Sequence, residues 1–474
     1  MTEADRLAAD PAAHPWFFCG IGGSGMLPLA LILKARGAEI AGSDRSRDAG
    51  RTPEKFAFLG RQGIALFPQD GSGITDPAQV LIASAAIEDS VPEVAAAKAL
   101  GATRLSRAQC LSALFNAAPH PIAIAGTSGK STVTGMIGWI LTMAGRDPVI
   151  VNGAVMKNFV DPATPFASAR VGQGADFVAE VDESDGSIVL YRPAVGVLGN
   201  VSLDHKSLEE LRELFGDFCA RCGAVALNAD DAESMALGHR ARGLLTFGMG
   251  ADATIAADPA SIVEGPTTIT ACVIDRRSGA THDLALAVPG RHNLMNALAA
   301  LAAASLSGVP LADAVAALGS FAGLSRRFDI VGTSASGVTL IDDFGHNPEK
   351  VAATLATLRT HPGRVIALFQ PHGYGPLRQM GMELAQVLAT RLTPEDRVIL
   401  TDPVYFGGTV DRSVGSEAIV AAINAAGGHA QHIPTRDNAA AAIIAMARPG
   451  DRVVVMGARD DTLATFASDL LAAL

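Results

Sequence analysis

Short apolar runs alternate with amphipathic stretches along the whole chain. The run from Trp16 to Cys19 is followed by glycines and then by Met26, Leu29, Ala30 and Leu33, which recur at the spacing of one helix face. Other runs typical of buried strands occupy residues 38–41, 80–84, 122–125, 177–181, 195–198, 338–342, 364–369, 396–400 and 451–456. Strands that alternate with helices favour parallel sheets, so the pattern predicts an α/β protein.

The alternation predicts three successive domains. Pro119 to Pro121 reads Pro-His-Pro, which is typical of a linker, and a third series of strands begins near Gly323. Residues 250–290 alternate apolar and polar positions, which indicates added antiparallel strands before an alanine-rich helix. The predicted domains are 1–118 and 323–474, both Rossmann-like, and between them 119–322.

Composition limits the partners and the compartment. A net charge of −11 over 474 residues argues against nucleic acid or an anionic membrane as the main partner, although glycine-rich loops still bind phosphates without net basic charge. The N-terminus lacks a basic stretch followed by an apolar one, and no stretch long enough to span a bilayer is free of charges. Among five cysteines, only Cys219 and Cys222 form a CxxC, which is weak evidence for metal, the alternative being two small apolar residues on a helix. We expect a cytoplasmic protein with no membrane insertion.

A glycine-rich turn follows the first predicted strand and precedes a helix. Its spacing matches G-x-G-x-x-G, and Ser43 and Asp44 end the next strand. Such glycines let backbone N–H groups approach a diphosphate at a helix N-terminus. Read alone, this is a dinucleotide fingerprint, which leaves an NAD-dependent oxidoreductase open, as well as a tight turn without ligand. The candidate residues are Gly20, Gly22, Gly23, Ser24 and Gly25.

A second glycine-containing loop carries the stronger signal. It lacks the early glycine of the full P-loop pattern, since Ile124 stands there, but Gly-Lys-Ser opens a helix after a buried strand. In this arrangement amides cradle phosphates, Lys130 reaches the terminal phosphates and the Ser131 hydroxyl can hold Mg²⁺. The loop therefore predicts ATP binding by Gly126, Thr127, Ser128, Gly129, Lys130, Ser131 and Thr132.

Acidic residues follow the strand that ends near Glu180. Four carboxylates within six residues repel one another unless cations neutralise some of them, and oxygen ligands suit Mg²⁺. The alternative is a solvated acidic loop. Asp204 and His205 end another strand, where the histidine can complete a metal shell.

Further polar runs lie at strand ends or helix starts after residue 289. Residues 290–296 open the alanine-rich helix, and Arg326 and Arg327 precede the third series of strands. An arginine there can stabilise phosphoryl charge. Residues 342–348 and 369–375 each follow a strand, the position at which α/β sheets bind ligands.

In their order, these motifs resemble the Mur ligases, and among them the members that join L-alanine to UDP-N-acetylmuramate. The resemblance covers nearly the whole chain and rests on the motifs GIGGSGM at Gly20, GSD at Gly42, SAAI at Ser84, GTSGKST at Gly126, EVDESDGS at Glu180, NVSLDH at Asn200, GRHNLMNA at Gly290, RRFD at Arg326, DDFGHNP at Asp342 and FQPH at Phe369.

The resemblance implies a role for each matching position. The first domain would bind the UDP of the sugar, and substrate contacts would include Ser43, Asp44, Ser84, Asp182, Glu183 and Ser184. Mg²⁺ ligands would be Ser131, Glu180 and His205. The nucleotide contacts outside the loop would be His292, Asn296 and the ribose-binding Asp343. Arg327 would bring the last domain onto ATP, and His346 would lie where the acceptor is handled. The implied catalytic residues are Lys130, Glu180, His205, Arg327 and His346.

The implied reaction is amide formation driven by ATP. The lactyl carboxylate of UDP-N-acetylmuramate would be phosphorylated to an acyl phosphate, which the amine of the acceptor would attack, with Mg²⁺ neutralising phosphoryl charge. The product would enter peptidoglycan precursor synthesis. A monomer or a dimer is expected.

The acceptor region departs from the resemblance. The alanine ligases carry two arginines, associated with the amino-acid carboxylate, where this chain has Gly373 and Pro376, and Arg378 is the nearest basic residue. Phe344 replaces a tyrosine, and the late Gly-Ala-Gly turn has Arg459 as its third residue. Ser128 and Ser131 replace histidine and threonine in the ATP loop. L-Alanine is the first expectation, a peptide acceptor of wall recycling the close alternative, and a non-catalytic sugar-nucleotide sensor stays open.

Overall fold

The structure is a computed structural model that describes residues 1–84, 87–202, 206–404 and 411–474. Three sheets, each with helices, account for the regular structure, in agreement with the predicted α/β fold class. The described chain forms two compact units, and the first contains two of the three sheets. The domain boundaries at 118/119 and 322/323 stay predictions.

The first sheet is fully parallel and lies near the N-terminus, in the first unit. Its order β3-β2-β1-β4-β5 places β1 at the centre, where Phe17 and Phe18 are completely buried. Helix α6 begins at a capping box in which Ser106 and Gln109 satisfy each other's backbone N–H groups. The elements are β1 Pro15–Cys19, β2 Glu39–Ser43, β3 Ala65–Phe67, β4 Val80–Ala83, β5 Thr103–Ser106, α1 Glu3–Ala9, α2 Met26–Ala35, α3 Arg45–Asp48, α4 Pro53–Arg61, α5 Pro92–Leu100 and α6 Arg107–Asn116.

The second sheet is mixed, with a parallel centre. Strands β6 and β10 are neighbours and their continuous apolar runs are buried, as parallel strands covered on both faces require. The predicted antiparallel addition is confirmed, since β13 pairs antiparallel with β15. The strands are β6 His120–Ala125, β7 Val149–Val151, β8 Ala169–Arg170, β9 Asp176–Glu180, β10 Val195–Leu198, β11 Ala224–Asn228, β12 Leu244–Gly248, β13 Ile255–Ala257, β14 Val263–Glu264, β15 Ile269–Asp275 and β16 Ala280–Leu286. The helices of this region are α7 Lys130–Met143, α8 Leu208–Arg221, α9 Ala232–Ala236, α10 Arg291–Leu306 and α11 Leu311–Leu318.

The predicted linker at Pro119 to Pro121 is wrong in part. Strand β6 already begins at His120, and the Pro121 carbonyl accepts the Ala194 N–H at 2.9 Å. A proline near the start of a strand costs little, because its missing N–H lies where pairing begins.

The third sheet belongs to the second unit and has the order β17-β18-β22-β19-β20-β21. Only β17 runs antiparallel to its neighbour among the described pairs of this sheet. The elements are β17 Asp329–Thr333, β18 Thr339–Asp343, β19 Val365–Gln370, β20 Arg397–Leu400, β21 Ala430–His432, β22 Arg452–Gly457, α12 Pro348–Arg359, α13 Tyr374–Arg391, α14 Ser416–Ala425, α15 Arg436–Met446 and α16 Thr462–Ala473.

Within the described ranges, five short 3₁₀ helices connect these elements: Pro11–Ala13, Lys157–Phe159, Ser187–Leu190, Gly238–Arg240 and Pro259–Ser261. Among the described helices, none is long and apolar enough to cross a membrane.

Candidate active site

The glycine-rich loop at residues 126–132 joins β6 to α7 and is built around two left-handed glycines. Gly126 has φ +127° and Gly129 has φ +82°, conformations that residues with a Cβ avoid. A Cβ at Gly129 would lie 2.5 Å from the Asn296 Oδ1 atom. The structure therefore brings Asn296, a predicted nucleotide contact, directly to the loop.

Lys130, the first residue of α7, is held at both sides of its ammonium group. Its Nζ donates to the Gly126 carbonyl at 2.7 Å and to Glu183 Oε2 at 2.8 Å. Both side chains are largely buried, so the charge pair is shielded from solvent. The cation is fixed beside the loop amides, where phosphate oxygens are expected.

Ser131 and Glu180 form the second polar pair of this loop. The Ser131 hydroxyl donates to Glu180 Oε2 at 2.9 Å. A Cβ at Gly153 would collide with Glu180 Oε1 and lie 3.5 Å from Ser131 Oγ, so the glycine lets the carboxylate lie close against the backbone. The hydroxyl and carboxylate oxygens held together here are of the type that binds Mg²⁺.

Three further residues were predicted near the cation: Asp182, Asp204 and His205. Asp204 and His205 lie outside the described residues. Asp182 is half-buried. Burial alone would raise its pKa, but the charge of Lys130 and hydrogen bonds from Ser184 outweigh this, so that its pKa lies below the usual value. This carboxylate is therefore ionised at neutral pH.

Asn200 organises the loop from the neighbouring strand, a role that sequence reasoning missed. It follows β10, and its Oδ1 accepts from the Thr127 hydroxyl at 2.6 Å and from the Ser128 N–H at 2.9 Å. The Ser202 hydroxyl lies 2.8 Å from Thr127 Oγ1. Asn200 could have been found from the sequence because it follows a predicted strand at its carboxyl end, where α/β sheets bind ligands.

A small pocket opens beside the loop within the same unit. Its lining includes the polar Ser128, Lys130, Asn200 and Asn296 and the apolar Phe247 and Met295. An apolar wall next to a phosphate-binding loop suits a nucleobase, since ligand pockets combine apolar walls with few polar groups.

The first glycine-rich turn is held by contacts to two neighbouring side chains. Asp44 Oδ2 accepts the Gly22 N–H at 2.8 Å, and the Lys55 ammonium donates to the Gly22 carbonyl at 3.2 Å. The carboxylate thus satisfies the Gly22 N–H group and fixes the shape of the turn.

Other predicted substrate residues near this turn are only partly accessible. The Ser43 hydroxyl is completely buried and donates to Glu93 Oε1 at 2.8 Å, whereas Ser84 is exposed after β4. Arg107 was missed by the sequence reasoning. Its Cδ would lie 2.9 Å from a Cβ at Gly25, and its guanidinium is 4.0 Å from Asp185, the last carboxylate of the acidic cluster.

The remaining predicted residues belong to the second unit. Asp343 is buried, and its carboxylate accepts from the N–H groups of Phe328 and Gly345, both at 2.7 Å. The predicted ribose acid thus fixes two turns of its own unit. His292 is exposed, and its ring lies 6.5 Å from that of Phe328.

The arginine pair before β17 has two different environments. Arg326 is buried, pairs with Asp342 at 3.4 Å and donates to the carbonyl of Gly457 at 2.6 Å. Arg327 instead lies over the Phe344 ring, 4.5 Å from its centroid. Of the two, Arg326 is engaged within the fold and Arg327 is the one that the resemblance assigns to ATP.

His346 lies beside a second histidine after the next strand. The rings of His346 and His372 are 5.0 Å apart, and burial is the main cause that lowers the pKa of His346 to about 3 and that of His372 to about 4. Both imidazoles are therefore neutral at physiological pH.

A chain that places a Gly-Lys-Ser loop beside paired carboxylates on a parallel sheet falls in the class of enzymes that use a nucleoside triphosphate. Family models match three segments: "Mur ligase family, catalytic domain" at 17–118, "Mur ligase middle domain" at 124–304 and "Mur ligase, glutamate ligase domain" at 326–459. The chain belongs to the Mur ligase family and is an ATP-dependent ligase.

Individual relatives extend this finding over the full length. The chain is 35% identical to a UDP-N-acetylmuramate–L-alanine ligase of Streptomyces coelicolor, over 94% of this chain and 95% of that protein. It is 34% identical to the ligase of the same name from Cereibacter sphaeroides, over 100% and 99%. The crystal structure of the UDP-N-acetylmuramate–alanine ligase from Thermotoga maritima has the same fold, with a TM-score of 0.80 at 24% identity and coverage of 97% and 98%. The resemblance read from the motifs is thereby confirmed, whereas the roles of single site residues stay predictions.

Proposed function

We propose that the protein joins L-alanine to the lactyl carboxylate of UDP-N-acetylmuramate at the expense of ATP. The observation that carries the proposal is the pairing of Lys130 with Glu183 and of Ser131 with Glu180 at the glycine-rich loop. The names of the full-length relatives above 30% identity support the substrates. The proposed place of action is the cytoplasm, within peptidoglycan precursor synthesis.

In the first step, an oxygen of the lactyl carboxylate attacks the γ-phosphorus of ATP. The bond to the β,γ-bridging oxygen breaks, ADP leaves and an acyl phosphate forms. Lys130 is placed to neutralise phosphate charge, and the loop amides after Gly126 are placed to orient the phosphates. Mg²⁺, which Ser131, Glu180 and the predicted His205 would hold, supplies charge neutralisation when bound.

In the second step, the neutral amine of L-alanine attacks the acyl carbon. The tetrahedral intermediate expels inorganic phosphate, and the nitrogen loses a proton as the amide forms. Water would hydrolyse the acyl phosphate, so the site must exclude it. The neutral His346 and His372 imidazoles are candidates to accept a hydrogen bond from the attacking amine.

The test is phosphate release from ATP, Mg²⁺ and UDP-N-acetylmuramate across a panel of acceptors. L-Alanine, glycine, L-serine and the L-alanyl tripeptide are compared, with the product identified by mass. Release with L-alanine and a product heavier by that residue supports the proposal. Release with the tripeptide alone would move the enzyme to wall recycling, and no release despite UDP-sugar binding would favour a sensor.

A further inference from the structure

Three residues stand at equivalent points beyond three adjacent strands of the third sheet. Strand β22 lies between β18 and β19, and Met456 of β22 pairs with Asp343 on one side and with Phe369 on the other. Counting three residues onward from each of these positions gives the list His346, Arg459 and His372. The turn that carries Arg459 therefore follows the strand that lies between the two histidine-bearing strands, at the carboxyl edge where α/β sheets bind ligands.

The turn that carries Arg459 is fixed at both of its ends. Arg326 donates to the carbonyls of Gly457 at 2.6 Å and Asp460 at 2.9 Å. The Asp460 carboxylate accepts from Gln370 Nε2 at 2.9 Å and from the Thr462 hydroxyl at 2.6 Å. The position of Arg459 is thus set by its neighbours.

Arg459 itself adopts a costly backbone conformation. Its φ is +58°, in the left-handed region that glycine occupies freely, and glycine is the residue that the resembling family turn carries. Strain of this kind persists where the surrounding structure enforces it, and it is concentrated at functional sites. An arginine here therefore calls for a benefit that glycine would not give.

The Arg459 side chain is exposed and has no hydrogen bond or ion pair with another described residue. Two other arginines of this unit are engaged: Arg378 pairs with Asp411 at 3.0 Å, and Arg327 lies over the Phe344 ring. Burial is the main cause that lowers the pKa of His372, and the positive charges of Arg459 and Lys350 add to it. A guanidinium placed this way suits a carboxylate, which it can bind through two parallel hydrogen bonds.

We infer that Arg459 binds the α-carboxylate of the amino-acid acceptor. This inference rests on the proposed amino-acid ligation. It assigns to Arg459 the task that the resemblance places on arginines at positions 373 and 376, which are Gly373 and Pro376 in this chain. A free amino acid carries that carboxylate beside its reacting amine, whereas in a peptide the same carbon is an amide.

The test compares wild type with Arg459→Gly, which removes the guanidinium and relieves the left-handed strain, so that folding is not impaired. The KM for L-alanine should rise about 10- to 100-fold, the range expected for loss of a charge-assisted contact. The KM values for ATP and UDP-N-acetylmuramate should stay within about twofold. L-Alaninamide, which lacks the carboxylate, should be used equally by both proteins. Arg459→Lys should recover part of the loss, and the control Arg378→Ala should behave as wild type.

Two outcomes would overturn the inference while leaving the ligase intact. One is an unchanged KM for L-alanine in Arg459→Gly, and the other is an equal loss for L-alanine and L-alaninamide. A third outcome concerns the wild type. If none of the amino acids supports phosphate release, the proposed function is contradicted, and the inference fails with it.

Discussion

The glycine-rich loop at residues 126–132 and the strand ends of the second unit differ in whether their charged groups are paired within the protein. At the loop, Lys130 is paired with Glu183, and Ser131 with Glu180, before any ligand arrives. At the strand ends, Arg459 is exposed without such a partner, and the adjacent histidines are neutral. A paired site is preorganised, and its ligand must compete with protein groups, whereas an uncommitted cation offers its full attraction to the ligand.

The sequence departures from the family fall unevenly on these two regions. In the ATP loop, Ser128 and Ser131 replace other polar residues, so the chemistry is kept. At the strand ends, Gly373 and Pro376 remove positive charge and Arg459 adds it. The comparison indicates that phosphoryl transfer is the shared part of the mechanism and acceptor recognition the part particular to this chain.

Loss of Lys130 should have the largest effect, and that effect should fall on phosphate release and not on binding of the UDP-sugar. Lys130→Ala removes the cation from the phosphates, and kcat for phosphate release should fall by about 1000-fold or more. UDP-N-acetylmuramate affinity, measured by calorimetry, should stay within about twofold, because the first glycine-rich turn lies on a different sheet.

The control for this variant addresses the charge it leaves behind. Glu183 would be buried and unpaired, which costs about 3 to 5 kcal/mol of stability. The double variant Lys130→Ala with Glu183→Gln removes that charge and should be equally inactive but folded, and exposed Lys98→Ala should keep full activity. Ligation by the double variant would contradict the assignment of the ATP loop.

Glu180 should set the Mg²⁺ requirement. Glu180→Gln removes one negative charge beside Ser131, so the Mg²⁺ concentration for half-maximal ATP turnover should rise about 10- to 100-fold. The matched control is Asp185→Asn, which removes a charge from the same acidic segment but is part-exposed and paired with Arg107. An equal rise in both variants would point to general electrostatics and against a cation site at Glu180.

Two glycines with the same backbone conformation separate strain from contact at the ATP loop. Gly129 has φ +82° and faces Asn296, whereas Gly145, after the end of α7, has φ +73° and nothing within 4 Å of an added Cβ. Both Gly→Ala variants should lose about 1 kcal/mol of stability. Only Gly129→Ala should also raise the KM for ATP, by about tenfold, in steady-state kinetics. Equal kinetics in the two variants would remove Asn296 from the nucleotide site.

The central strands of the fold were predictable because parallel strands buried on both faces are continuous apolar runs. The strand at Val195–Leu198 was predicted to the residue. Short strands such as Ala65–Phe67 and Val149–Val151 were not predicted, since three residues give no usable period. The two prolines of Pro119 to Pro121 indicated a linker. They did not show that a strand begins at His120, because composition does not reveal which strands a segment will pair with.

Site residues that lie within one loop could be predicted from the sequence. Site residues that are brought together by the pairing of strands were missed. Gly-Lys-Ser lies within one loop, so Lys130 and Ser131 were identified from sequence alone. Asn200 reaches the loop only because β10 pairs with β6, across more than seventy residues. Arg459 was noticed only as a departure, since its turn reaches the same sheet edge as the histidines only through the pairing of β22 with β18 and β19.

The last prediction tests the neutrality of the histidines at the strand ends. Burial lowers the pKa of His346 to about 3, below its value in the unfolded chain. Between these two pKa values the imidazole is protonated in the unfolded chain and neutral in the folded chain. The resulting stability is complete above about pH 6.5 and is lost as the pH falls towards the folded pKa. Between pH 7.5 and pH 5, wild type should therefore lose about 1 to 2 kcal/mol more than His346→Gln. Hydrogen exchange of peptides from β18 and β19 at the two pH values measures this difference locally.

Asp342, whose pKa is raised to about 6 mainly by burial, has the opposite pH dependence. Its contribution is common to wild type and variant and therefore cancels. His372→Gln should give a similar difference, because its pKa of about 4 is also below pH 5. Equal losses in wild type and both variants would mean that the imidazoles are protonated in the folded protein, and Arg459 would then be one of several positive charges at this edge.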